Sequence, residues 1–106
     1  MRIYTGDSLA PRWELQRRLI LSREFKRFRR RYQLTQKDLA QASGVHINTI
    51  ANCERYGKVT TEDFFYYLQI AKQAAALVEQ GKPINKIELI DIPFSEYKTF
   101  IETIFN

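Results

Sequence analysis

The most restrictive feature of this chain is the spacing of small and apolar residues between Thr35 and Gly57. Thr35-Gln36-Lys37-Asp38 has the form of an N-cap followed by an acid at the third helical position, with Asp in place of the usual Glu or Gln. A short helix therefore runs through Leu39 and Ala40 to about Ser43. Gly44 reads as its left-handed C-cap, because glycine alone takes that conformation without a Cβ clash. After Val45 and His46 a second short helix covers roughly Ile47 to Arg55, and Gly57 marks its end. Two short helices crossing steeply need a small residue where their backbones approach, here Ala40, and a residue tolerant of positive φ four positions later, here Gly44. Leu39, Val45, Ile50 and Cys53 then point inward together.

The flanks follow from periodicity. Residues 8–32 read as helix with a break or bend near Ser22, Ser8 as N-cap and Pro11 in the first turn. Leu21, Phe25, Phe28 and Tyr32 form an apolar stripe, while Arg23, Lys26, Arg27, Arg29, Arg30 and Arg31 fill the other faces. Trp13 and Ile20 lie outside that stripe and need another surface, the C-terminal tail or a second subunit. Thr60 or Thr61 caps a fourth helix with Glu62 and Asp63 in its first turn and Phe64, Tyr67, Leu68, Ala71, Ala75 and Val78 on one side; Gly81-Lys82-Pro83 stops it. Lys86 to Ile92 alternates enough to be a short strand, with an extended arm as the alternative. Pro93 breaks it, Ser95 caps, and Glu96 to Phe105 forms a last helix with Tyr97, Phe100, Ile101 and Ile104 at helical spacing. The expected fold is mostly all-α, about five helices, divided into an N-terminal helical extension (1–21), a central domain (22–81) and a C-terminal extension (82–106).

Composition narrows the function classes. With 106 residues, 44% of them hydrophobic, the chain is expected to bury one core, and no apolar run reaches the ~18–20 residues of a membrane span. The start lacks the pattern of a secretory signal, so a cytoplasmic location is expected. One cysteine, Cys53, and one histidine, His46, make neither a disulfide nor a metal cluster, so no metal or cofactor is expected. No nucleophile–base pair or carboxylate dyad suggests an enzyme. Residues 1–58 hold 13 Lys/Arg against 5 Asp/Glu, a balance of +8, and residues 59–106 hold 4 against 7, a balance of −3. Such asymmetry suits a nucleic-acid or other anionic partner, and equally a solvated arginine face.

The segment from Gln36 to Glu54 resembles the helix-turn-helix of the Cro and phage-repressor (XRE-like) family, and the resemblance extends from about Phe25 to Ala71. It covers the basic first helix, Leu34-Thr35-Gln36, and a fourth helix after a glycine-containing turn. Ser43, at a position often apolar in the family, and Tyr56, which adds a residue before Gly57, depart from it. The resemblance implies a lambda-repressor-like helical bundle that binds double-stranded DNA. Its third helix would enter the major groove with Ile47, Asn48, Thr49 and Asn52 at base edges, and Gln36, Lys37, His46 and Lys58 would contact phosphates. The two asparagines read alone are plain solvent-facing polar residues. An orienting ion pair between Arg29 and Glu54 is also implied, against a surface pair of little worth.

From the same resemblance we expect a transcriptional repressor acting as a homodimer on an inverted-repeat operator, the chain being short for a separate ligand-sensing domain. Trp13, Ile20, Ile87 to Ile92, Tyr97, Phe100, Ile104 and Phe105 are the candidate dimer surfaces. Alternatively these ends fold back over the core and hide Phe65 and Tyr66. The second functional expectation is an antitoxin whose C-terminal segment binds a toxin; in either case a partner protein, toxin or transcription machinery, is conceivable and a membrane is not expected.

Overall fold

A computed structural model describes residues 11–105, and they are mostly helical. Five α-helices follow in order, α1 (Arg12–Arg31), α2 (Gln36–Ser43), α3 (Ile47–Tyr56), α4 (Thr61–Glu79) and α5 (Tyr97–Phe105), with a 3-10 turn over Phe94–Glu96. Among the described residues there is no strand, and no helix is long and apolar enough to cross a membrane.

The helix ends are set locally. Thr35 and Asp38 form a reciprocal capping box at the start of α2, each bond 3.0 Å. Gly44 closes α2 at φ 71°, and Val45 N–H returns to the Ala40 carbonyl at 3.1 Å. Thr60 caps α4 by accepting the Asp63 N–H at 3.0 Å. At the start of α1 Pro11 occupies the N-cap rather than the first turn, and the Ser8 cap lies outside the described residues. The helix then runs without a break through Ser22, across the expected boundary at residue 21. Ser22 does not disturb it because its hydroxyl donates to the Glu54 carbonyl of α3. The chain leaves α1 through Gln33, a non-glycine at φ 56°.

Leu21, Phe25 and Phe28 of α1 meet Leu39 of α2, Ile50 and Cys53 of α3, and Phe64, Tyr67 and Ile70 of α4. Phe64 packs edge-on to Phe25 and Phe28, with ring centroids 5.6 and 5.2 Å apart. The buried arc of α4 is wider than, and rotated from, the one expected. Phe65, Ile70 and Ala74 are buried, whereas Ala75 is half-buried and Val78 exposed. The cause is tertiary: α1 and α2 cover one flank of α4 and α5 covers another.

Residues 82–92 form an arm along α2. Ile87 donates its N–H to the Ala42 carbonyl at 2.8 Å, and the Gln41 amide donates to the Ile84 carbonyl at 2.8 Å. This is the alternative to the expected strand, and the missing element is a second strand to pair with. The last helix is not capped by Ser95, which lies inside the 3-10 turn; the Glu96 N–H takes the Pro93 carbonyl instead. Tyr97 and Phe100 close over Phe65 at 5.3 and 5.1 Å, so Phe65 is hidden and Tyr66 half-hidden by the returning tail. Of the apolar candidates for a dimer surface, Ile87, Tyr97 and Phe100 are thus used within the chain. Trp13 is not covered by the tail and stays 67% exposed, while Ile20 is half-buried.

Candidate nucleic-acid interface

The candidate surface is the outward face of α3, and its construction begins at His46. That ring is the N-cap: Nδ1 accepts the Asn48 N–H at 3.0 Å. With the Nδ1 lone pair occupied, the neutral ring carries its proton on Nε2, which leaves a donor on an exposed side chain. Ile50 and Cys53 point into the core, as does Glu54, so the helical repeat turns Ile47, Asn48, Thr49 and Asn52 to the outside. All four are exposed, Ile47 by 39%, which puts an apolar side chain at the head of a polar row. Arg55 and Tyr56 continue this surface at its far end. The Arg55 guanidinium and the Lys58 ammonium each lie 5.5 Å from the Tyr56 ring centroid, a cation–π arrangement. Tyr56 is the last residue of α3, and Gly57 caps it at φ 64°.

What holds α3 at this angle is Glu54, whose side chain is buried. Arg29 donates Nε to Oε2 and Nη2 to Oε1, the latter at 3.0 Å, while its Nη1 reaches the Leu34 carbonyl at 2.7 Å. The Gln36 amide also donates to Glu54 Oε1, at 3.3 Å. Together with the Ser22 bond to its carbonyl, Glu54 joins α1, α2 and α3 at one residue. The Arg29–Glu54 contact is therefore a buried fork rather than a surface ion pair, and it orients helices.

Gln36 differs from the expectation of a side-chain phosphate clamp, because its amide is drawn inward by the carboxylate. Lys37 is exposed on the first turn of α2, and Lys58 is exposed beyond α3. Ser22 was absent from the sequence-based set, yet it lies seven positions before Arg29 and so shares its helix face. Arg55 and Tyr56 could have been found in the same way, four residues beyond Ala51 and Asn52.

Cys53 donates weakly to the Lys58 carbonyl at 3.9 Å. Burial, reinforced by the charges of Asp63 and then Glu54, pushes its thiol up to about 11, which makes it a core residue and a poor nucleophile. Ser43 is buried with a hydroxyl that has no hydrogen-bond partner, a departure with a structural cost and no visible role. Comparison of the chain with protein-family models, with curated proteins and with solved structures gave no match.

Proposed function

We propose that this protein is a sequence-specific DNA-binding regulator of the helix-turn-helix type, a cytoplasmic non-enzymatic repressor that occupies an inverted repeat as a homodimer. The observation that carries this reading is the exposed row Ile47, Asn48, Thr49 and Asn52 on a helix whose opposite face is locked through Glu54. A polar helix face that only needed solvation would not require a four-residue clamp to fix its angle. The +8 balance of the first 58 residues supplies attraction to a polyanion.

In this mechanism α3 lies in the major groove. Asn48 or Asn52 bonds bidentately to adenine N6 and N7, and Ile47 packs on a thymine methyl group. Lys37, Lys58 and the His46 Nε2–H meet phosphates, and Gln36 contributes its helix-start backbone N–H rather than its amide. Arginines on the far face of α1 act only at long range. One such unit reads a few base pairs, so two copies bind half-sites about 10 bp apart or a multiple of that.

The test is a gel-shift titration on the DNA upstream of the protein's own gene at two salt concentrations, with unrelated DNA as control. Preferential binding that weakens steeply with salt is expected. An Asn48→Ala/Asn52→Ala chain should lose about 1–3 kcal/mol of discrimination per contact removed while keeping non-specific binding. Equal binding to all DNA, or none, refutes the regulator reading; full specificity in the double variant refutes the contact assignment.

A further inference from the structure

Helix α5 lies on α4 without a fully buried residue: Tyr97, Phe100, Ile101, Ile104 and Phe105 are each only half-buried. Between the two helices a cleft of about 450 Å³ opens, within the size range of small-molecule sites. Phe65, Leu68, Gln69 and Lys72 line it from α4, a stripe at i, i+3, i+4 and i+7 that passes from two apolar side chains to an amide and then a cation. Phe100 and Glu96 line it from the other side. Gln69 is only 8% exposed, and its Nε2 is buried with no hydrogen-bond partner. A buried donor left unpaired is costly, and a hydrocarbon side chain of similar size would pack there without that cost. Lys72 and Glu96 are exposed at the rim. Neither has an ion-pair partner among the described residues, the other included.

We propose that this cleft binds a free L-α-amino acid with an apolar side chain, an aromatic one fitting the two phenylalanine walls best. The lining selects that class. The carboxylate accepts from the Lys72 ammonium and from the Gln69 amide, whose terminal torsion is soft enough to turn Nε2 toward an acceptor seated in the cleft. The ammonium meets Glu96, and the hydrocarbon rests on Phe65, Leu68 and Phe100. A simple carboxylic acid leaves Glu96 facing a charge of its own sign, and a simple amine leaves Lys72 and Gln69 without an acceptor. Two opposite charges that share a cleft and do not pair leave room for a molecule that carries both. Phe100 also touches Phe64 at 5.5 Å, and Phe64 packs on Phe25 and Phe28, so filling the cleft bears on the core that seats α1.

This inference deepens the regulator reading, for which the cleft is an effector site, and rests on it for that use alone, not for the binding. Isothermal titration of the full chain with L-phenylalanine tests it, with L-leucine, L-methionine and L-tryptophan as further probes and the melting temperature as a check on folding. Saturable binding of one molecule per chain is expected. 3-Phenylpropionate, which lacks the ammonium, and 2-phenylethylamine, which lacks the carboxylate, should each bind roughly tenfold more weakly or worse. Gln69→Leu should melt no lower than wild type, because it removes an unpaired amide, yet bind L-phenylalanine roughly tenfold more weakly. Lys72→Met, at an exposed position, should weaken L-phenylalanine and leave 2-phenylethylamine unchanged. No saturable binding of any of the four amino acids overturns the inference. Analogues that bind as well as L-phenylalanine, or a Gln69→Leu chain of unchanged affinity, do the same. A chain that binds L-phenylalanine as expected and fails the gel shift removes the regulator reading alone.

Discussion

Residues 35–57 and residues 82–105 are both short elements joined by turns, yet they are held by different means. In the first segment each helix end is closed by a neighbour two to four positions away: Thr35 with Asp38, Gly44 with Ala40, His46 with Asn48, Gly57 with Cys53. In the second, the anchors come from distant parts of the chain, Ile87 on Ala42, Gln41 on Ile84, Phe100 on Phe64 and Phe65. The first segment is a rigid unit that aims a polar face. The second drapes over a core already made, with its outer side unused. A surface meant to read a partner benefits from the first construction, because a pre-set angle leaves less order to be imposed on binding.

Breaking the central clamp should have the largest effect. Glu54→Ala strands the Arg29 guanidinium and frees the Gln36 amide, and a loss of about 3–5 kcal/mol in urea unfolding is expected; a variant within 1 kcal/mol of wild type by the same titration would show that the clamp does not set the fold. Of the three left-handed glycines among the described residues, Gly57 and Gly81 separate crowding from backbone strain. A Cβ at Gly57 would sit 1.9 Å from the Arg18 carbonyl oxygen, whereas at Gly81 it meets nothing within 4 Å. Gly57→Ala should cost about 3 kcal/mol and Gly81→Ala about 1 kcal/mol, and equal melting shifts would contradict the close approach of α1.

Phe100→Ala tests how far the tail supports the core. A loss of about 2 kcal/mol is expected, with increased exposure of Phe65 to solvent detectable by hydrogen exchange along α4. The subtlest test uses pH. The folded chain holds the Cys53 proton up to about 11, while the unfolded chain releases it near 9.0. The contribution is complete below pH 9 and is lost as pH rises through 11, amounting to about 2 kcal/mol there. Tyr67, raised by burial to about 12, extends the decline. The fall in melting temperature between pH 9 and 11 should be shallower in Cys53→Ala than in wild type; identical slopes would mean the thiol is not buried as described.

Much of this molecule was legible because helices are closed by short-range rules. The Thr35–Asp38 box, the Gly44 and Gly57 caps, the Thr60 cap and the Leu21–Phe25–Phe28 stripe all depend on residues within one or two turns of each other. The outward position of Asn48, Thr49 and Asn52 follows from the inward position of Ile50 and Cys53 by helical period alone. Less was legible where a residue defies its usual habit. Gln33 takes a left-handed conformation without being glycine, and it does so because Leu34 N–H closes back on the Arg29 carbonyl at 3.1 Å. Gln36 is a surface-type residue at a helix start, and only the buried carboxylate of Glu54 turns its amide inward.

By itself, then, the amino-acid order determined where helices begin and end and which side of each is apolar, since caps, glycines and periodicity act over a few residues. Tertiary structure decided which apolar groups are covered and which polar groups meet. Ser22, Arg29 and Gln36 converge on Glu54, Phe65 goes under α5, and the β-prone arm lies against a helix. Those outcomes depend on surfaces brought together from opposite ends of the chain, and no local spacing encodes what will arrive across the gap.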